Sequence, residues 1–173
     1  MRIILIFLIF ISCERKPINL DNFVEDKEQP IEVINDLEIK HNKNGLLKIK
    51  IIASKIQRYQ FKEPSLVFSD NFTVYFYNDS SKVESILQAE EATLNENDKI
   101  MKAFKNVVLT SSKQQKLETE ELIWDEKKNI IFTEREVKIT NQEEIIYGKG
   151  LVSNPSFTKY SIDKIHGSFD FKN

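Results

Sequence analysis

From Ile31 onward apolar and polar residues alternate with a period of two. Leu66, Phe68, Phe72, Val74 and Phe76 fall at even positions, with Ser69, Asn71 and Thr73 between them. Leu47, Ile49, Ile51 and Ala53 fall at odd positions, separated by Lys48 and Lys50. Successive side chains of a strand point to opposite faces, so this alternation predicts half-buried strands rather than helices. Polar turn clusters separate the runs: Asn42-Lys43-Asn44-Gly45, Asn78-Asp79-Ser80-Ser81, Asn95-Glu96-Asn97-Asp98, Ser111-Ser112-Lys113, Asp125 to Asn129, Asn141-Gln142 and Asn154-Pro155. Evenly spaced strands and turns predict an all-β meander. With only four glycines, Gly45 among them as a turn residue, Asn and Asp are expected to supply most left-handed turn positions.

The alternation changes phase at a recurring place. Ala53-Ser-Lys-Ile56, Ala89-Glu-Glu-Ala92, Thr119-Glu-Glu-Leu122 and Gly148-Lys-Gly-Leu151 each set a small residue, two mostly polar ones and an apolar one, at intervals of about thirty residues. Inward positions are odd before the middle two (Val83, Leu87; Leu117) and even after them (Leu94; Trp124). Ala103 parallels Thr133, and Val107-Val108-Leu109 parallels Val137-Lys138-Ile139. A bulge or corner that carries each strand from one sheet to another accounts for the shift. The fold expected is a twisted open β-jellyroll of stacked antiparallel hairpins in two sheets, with terminal strands near Ile31–His41 and Phe157–Phe171 left free to pair.

Ahead of this domain the pattern is different. Arg2 precedes an unbroken apolar run from Ile3 to Ile11, then Ser12 and Cys13, after which the chain turns polar. That order of regions is an export signal. The run rises about 14 Å as a helix, against roughly 30 Å of bilayer hydrocarbon, so it does not span a membrane. Ser12-Cys13 resembles the lipobox of bacterial lipoproteins, with Phe10 in place of the usual Leu; lipidation at Cys13 is the expectation, an ordinary or uncleaved signal the alternative. Glu14 to Pro30, with two prolines and mixed charges, reads as a tether or as an arm packed on the domain through Phe23-Val24. The division expected is 1–12 signal, 13–30 lipidated N-terminus and tether, and 31–173 periplasmic domain.

Composition narrows the chemistry. Cys13 is the only cysteine, so the domain has no thiol for a disulfide, a zinc site or a nucleophile. Twenty-five basic against 27 acidic residues offer no electrostatic case for nucleic acid. The only histidines, His41 and His166, stand beside turns without a neighbouring acid or nucleophile in sequence, and Glu90-Glu91 and Glu120-Glu121 point to opposite faces as strand neighbours. No enzymatic activity, metal or cofactor is expected. Tyr75, Tyr77 and Trp124 form a candidate sugar-stacking platform, and Tyr75 and Tyr77 share the face opposite the phenylalanines. The other class of function open is therefore a carbohydrate- or protein-binding surface lipoprotein with a closed sandwich core.

Gly45-Leu-Leu-Lys-Ile-Lys-Ile-Ile-Ala53, Tyr59-Gln-Phe61-Lys-Glu-Pro64, Ala89-Glu-Glu-Ala92-Thr-Leu94 and Leu117-Glu-Thr-Glu-Glu-Leu-Ile-Trp124, in this order behind a membrane signal, resemble the LptC family of periplasmic lipopolysaccharide-export components. Many members carry a transmembrane helix where this chain has a short signal and a cysteine. The resemblance implies a non-enzymatic lipid conduit that takes lipopolysaccharide from an inner-membrane ABC transporter and passes it to a soluble periplasmic relative by edge-strand addition. Phe61 lies near the groove by family position. Leu66, Phe68, Phe72, Val74, Phe76, Leu87 and Trp124 are added by pattern as groove candidates for the acyl chains of lipid A, filled core being their other role. Each methylene moved from water into such a groove is worth about 0.8 kcal/mol. The chain has no Gly-x-x-x-x-Gly-Lys loop for ATP, so the work of extraction is done elsewhere.

Overall fold

The computed structural model describes residues 29–167. Cys13, the signal, the tether as far as residue 28 and the last residues of the expected C-terminal strand lie outside the described residues. Ten strands follow one another: β1 (Glu32–Lys43), β2 (Leu46–Arg58), β3 (Leu66–Tyr77), β4 (Val83–Ala89), β5 (Glu91–Asn95), β6 (Ile100–Ser111), β7 (Lys116–Asp125), β8 (Ile130–Thr140), β9 (Ile145–Ser153) and β10 (Tyr160–Ile165). All pair antiparallel in the order β1-β2-β3-β4-β6-β7-β8-β9-β10, with β5 continuing β4 between β3 and β6. The two sheets expected from the sequence are therefore two leaves of one continuous hydrogen-bonded sheet, folded along a crease. This is an all-β jellyroll-like fold.

The crease runs through the four repeated segments. Ala53 pairs with Phe72 and Ile56 with Phe68, so two residues of β2 face three of β3. The same two-against-three count recurs where Ala103 pairs with Leu122 and Val107 with Thr119, and where Thr133 pairs with Leu151 and Val137 with Gly148. The extra residue makes a bulge, which bends the strand and strengthens its twist. Asp70, Asn71, Lys105 and Asn106 take left-handed backbone there, as does Gly150 (φ 75°) on β9. At the two outermost pairs the count is equal: Ile34 and Leu37 oppose Ile56 and Ala53, and Leu151 and Gly148 oppose Ile162 and Ile165.

Left-handed residues thus serve the crease as much as the turns. Asn44, Gly45 and Asn129 sit in turns as expected, but Ser81, Lys99, Gln114 and Phe157 take other turn positions. Phe157 tolerates φ 52° while wholly buried, stacked on Tyr160 at 5.1 Å between ring centres.

On either side of the crease, inward residues close into one core. Residues before it on β2, β4 and β7, such as Ile51, Leu87 and Leu117, belong to what we term the Phe76 leaf; those after it, such as Leu122, Trp124 and Leu151, belong to the Trp124 leaf. Phe68 and Phe72 straddle the bend of β3, their rings 5.1 Å apart. Val83, expected inward, is 36% exposed, because the β3–β4 register shifts between Phe76 and Tyr77 at the strand end.

Candidate functional site

The concave face of the folded sheet is an apolar trough. At its centre Phe68, Phe72, Val74, Leu87, Leu109, Leu122 and Ile139 are wholly buried. Toward the β1 edge the lining loosens: Ile34, Leu37 and Ile39 are only half-buried, and with Ile56 and Leu66 they surround a small gap of about 30 Å³. Ile146, Tyr160 and Ile162 are half-buried toward the β10 edge, and burial pushes the Tyr160 phenol above its ordinary pKa. The trough is filled in the middle and looser at both lateral edges.

Opposite the crease the free ends of the leaves meet in a cleft of about 560 Å³. From the Phe76 leaf come the end of β1, the start of β2, the end of β3 and the start of β4; from the Trp124 leaf come the end of β7, its turn into β8, and the β9–β10 loop. Three contacts join the leaves there. Phe76 meets Trp124 edge to face at 5.2 Å, Ser85 Oγ donates to the Pro155 carbonyl at 2.5 Å, and His41 Nε2 lies 4.0 Å from Glu126 Oε1. The cleft floor is apolar (Ile49, Phe76, Trp124), whereas its rim carries Lys43, Lys48 and Lys127 together with Glu84 and Glu126. Lys48 pairs with Asp79, and Lys127 Nζ donates to the Asn97 carbonyl at 3.1 Å.

The turn that presents Glu126 and Lys127 is held by Asp125, whose Oδ1 accepts from the Lys128 N–H at 2.9 Å and whose Oδ2 lies 3.0 Å from Lys128 Nζ. The backbone hydrogen bond from Lys128 is the chief reason that the Asp125 carboxyl sits below its ordinary pKa. Trp124, next to it, is 6% exposed, and its Nε1–H has no acceptor among the described residues.

Seven of the eight groove candidates come together in this interior: Leu66, Phe68, Phe72, Val74, Phe76, Leu87 and Trp124 all belong to the buried cluster. Phe61 stands apart, 53% exposed in the β2–β3 connection. Pattern reasoning missed the cleft, because its lining comes from segments far apart in the chain and no local period marks it.

His166 Nε2 lies 2.6 Å from Glu136 Oε2, and His41 faces Glu126, so each has an acid beside it that is distant in sequence. Both pairs are exposed. Glu90 accepts from Asn106 Nδ2 at 2.5 Å, Glu91 meets Lys105 at 2.5 Å, and Glu121 meets Lys102 at 3.2 Å, so these carboxylates brace the crease from outside. Tyr75 faces outward beneath Lys50 Nζ, 4.5 Å from the ring centre, and that cation occupies part of the stacking platform expected at Tyr75, Tyr77 and Trp124, whose indole belongs to the buried cluster. Among the described residues no cluster of His, Cys, Asp or Glu has the makings of a metal site, and no helix is long and apolar enough to cross a membrane.

No curated relative matches the chain. The family model for lipopolysaccharide-assembly, LptC-related proteins matches residues 2–157, a span that takes in strands β1 to β9. A folded antiparallel sheet with an apolar concave face suits such a role, and the chain belongs to the LptC family, lipopolysaccharide-transport components of the periplasm and inner membrane.

Proposed function

We propose that this chain is a lipid-anchored periplasmic conduit, held at the inner membrane through acylated Cys13. It accepts lipopolysaccharide from an ABC transporter, carries the acyl chains through the trough and hands them to a soluble periplasmic jellyroll. The observation that carries this reading is the continuous apolar lining from the β1 edge through the centre to the cleft. Because the centre is filled, acyl chains enter only when the leaves part about the crease. Three contacts at the free ends oppose that opening, and exposed pairs such as His41–Glu126 contribute little. Among the described residues β1 and β10 are the sheet's edges, and they supply the backbone groups for strand addition. Residues 14–30 tether the domain to its anchor at Cys13; these seventeen residues fully extended reach about 55 Å.

A photo-crosslinking residue placed at Phe76 and, separately, at Tyr75 tests the reading in cells. Phe76 faces the trough and Tyr75 the outside. Lipopolysaccharide adducts are expected at Phe76 and not at Tyr75. If a folded, abundant protein captures lipid at neither position, the interior is a closed core and the surface-binding alternative leads.

A further inference from the structure

Trp124 is the only tryptophan of the chain, and it sits where the apolar trough opens into the polar cleft. Two buried side-chain polar atoms among the described residues lack a partner, Gln115 Oε1 and Trp124 Nε1, and Trp124 is the one that lines the cleft. Buried donors are nearly always paired, and one left without an acceptor carries a desolvation penalty. Phenylalanine would fill the same wall without that penalty. An acceptor from outside the described residues would satisfy the indole.

The surroundings define the acceptor. The donor is single and neutral, with apolar surface on the trough side (Ile49, Phe76) and, on the cleft side, the cations Lys43 and Lys127 set among the carboxylates Glu84 and Glu126. In an acylated lipid the group at the boundary between tail and headgroup is an ester or amide carbonyl, a neutral acceptor with a hydrocarbon chain on one side and polar, often anionic, groups on the other. We propose that Trp124 Nε1–H donates to an acyl carbonyl of the transported lipid, with the tail against Ile49 and Phe76 and the anionic headgroup toward Lys43 and Lys127. This rests on the transport reading and adds to it the depth at which one acyl chain is held.

The test uses the full chain. Replacing Trp124 by 3-benzothienylalanine exchanges N–H for sulfur while keeping the bicyclic shape, and Trp124→Phe removes the donor with some loss of volume. Retention of radiolabelled lipopolysaccharide should weaken about five- to tenfold in both variants, the worth of one hydrogen bond. In the unmodified chain, lipopolysaccharide should also shift the emission of the sole tryptophan. Monomyristoylglycerol should bind the unmodified chain more tightly than its ether analogue, which lacks the carbonyl, and that preference should vanish in the benzothienyl variant. Lipopolysaccharide bound with undiminished affinity by the benzothienyl variant, with tryptophan emission unmoved in the unmodified chain, overturns the anchor and leaves the transport reading standing. A folded, unmodified chain that retains no lipopolysaccharide removes the transport reading, and the anchor with it.

Discussion

The centre of the trough and its mouth are built from the same residue types and behave differently. At the centre Phe68 and Phe72 interlock across the bend with no exposed surface to speak of. At the mouth Phe76 and Trp124 also interlock, yet the indole donor has no partner among the described residues and the surrounding cleft is lined by charge. Aromatic burial at the centre holds the fold together; at the mouth it leaves polar capacity unspent. The contrast shows that equally buried aromatics can differ in whether their polar groups are matched.

The largest effect that would break this contrast is at the centre. Phe68→Ala should cost about 3–5 kcal/mol in denaturant unfolding, since a wholly buried ring leaves a cavity that its neighbours fill only in part. A loss under about 1 kcal/mol would mean that the centre relaxes as readily as the mouth. Next comes the crease that shapes both regions. An added methyl at Gly150 would strike the Asp163 carboxylate at a left-handed position, so Gly150→Ala should cost about 1–3 kcal/mol, read as a lowered melting temperature.

At the mouth, Trp124→Phe should cost less than about 1.5 kcal/mol, because the ring that replaces the indole removes an unsatisfied donor along with some packing. A loss as large as that of Phe68→Ala would make the indole a structural anchor and erase the contrast. The smallest effect is acid sensitivity. The folded pKa of Asp125 is below its ordinary 3.8, so its contribution is present above that value and is lost as pH falls through the folded pKa. Glu118, lowered chiefly by its hydrogen bond from Lys116, acts in the same sense. Asp125→Asn should therefore show a smaller drop in melting temperature between pH 7 and pH 3 than the unmodified chain. An equal drop would place the acid-labile contribution elsewhere.

Much of the fold is legible in the residues, and the reasons are local. Period-two alternation marks the strands, and Asn-rich clusters mark the turns. The crease shows wherever a strand crosses it with two intervening residues, because that spacing switches parity, as from Ala53 to Ile56. Strands that cross with three, Phe68 to Phe72, Ala103 to Val107 and Thr133 to Val137, keep their parity and conceal the bend. The same limit applies to the site. Seven interior candidates carry a pattern, whereas Phe61 is an aromatic in a connection where no alternation says which way it faces. The pairing of His41 with Glu126, and of His166 with Glu136, exists only once distant strands are registered.

The two-against-three crossing repeats through the inner strand pairs and stops at the outermost ones, which makes the hairpin a unit of length. Each hairpin carries its own share of the bend, so inserting or deleting one would lengthen or shorten the trough by about two strand spacings, some 9–10 Å, without altering its curvature. Capacity in such a molecule changes in whole steps, and a lineage that needs a longer path for its cargo can reach it by duplicating about thirty residues rather than by redesigning a core.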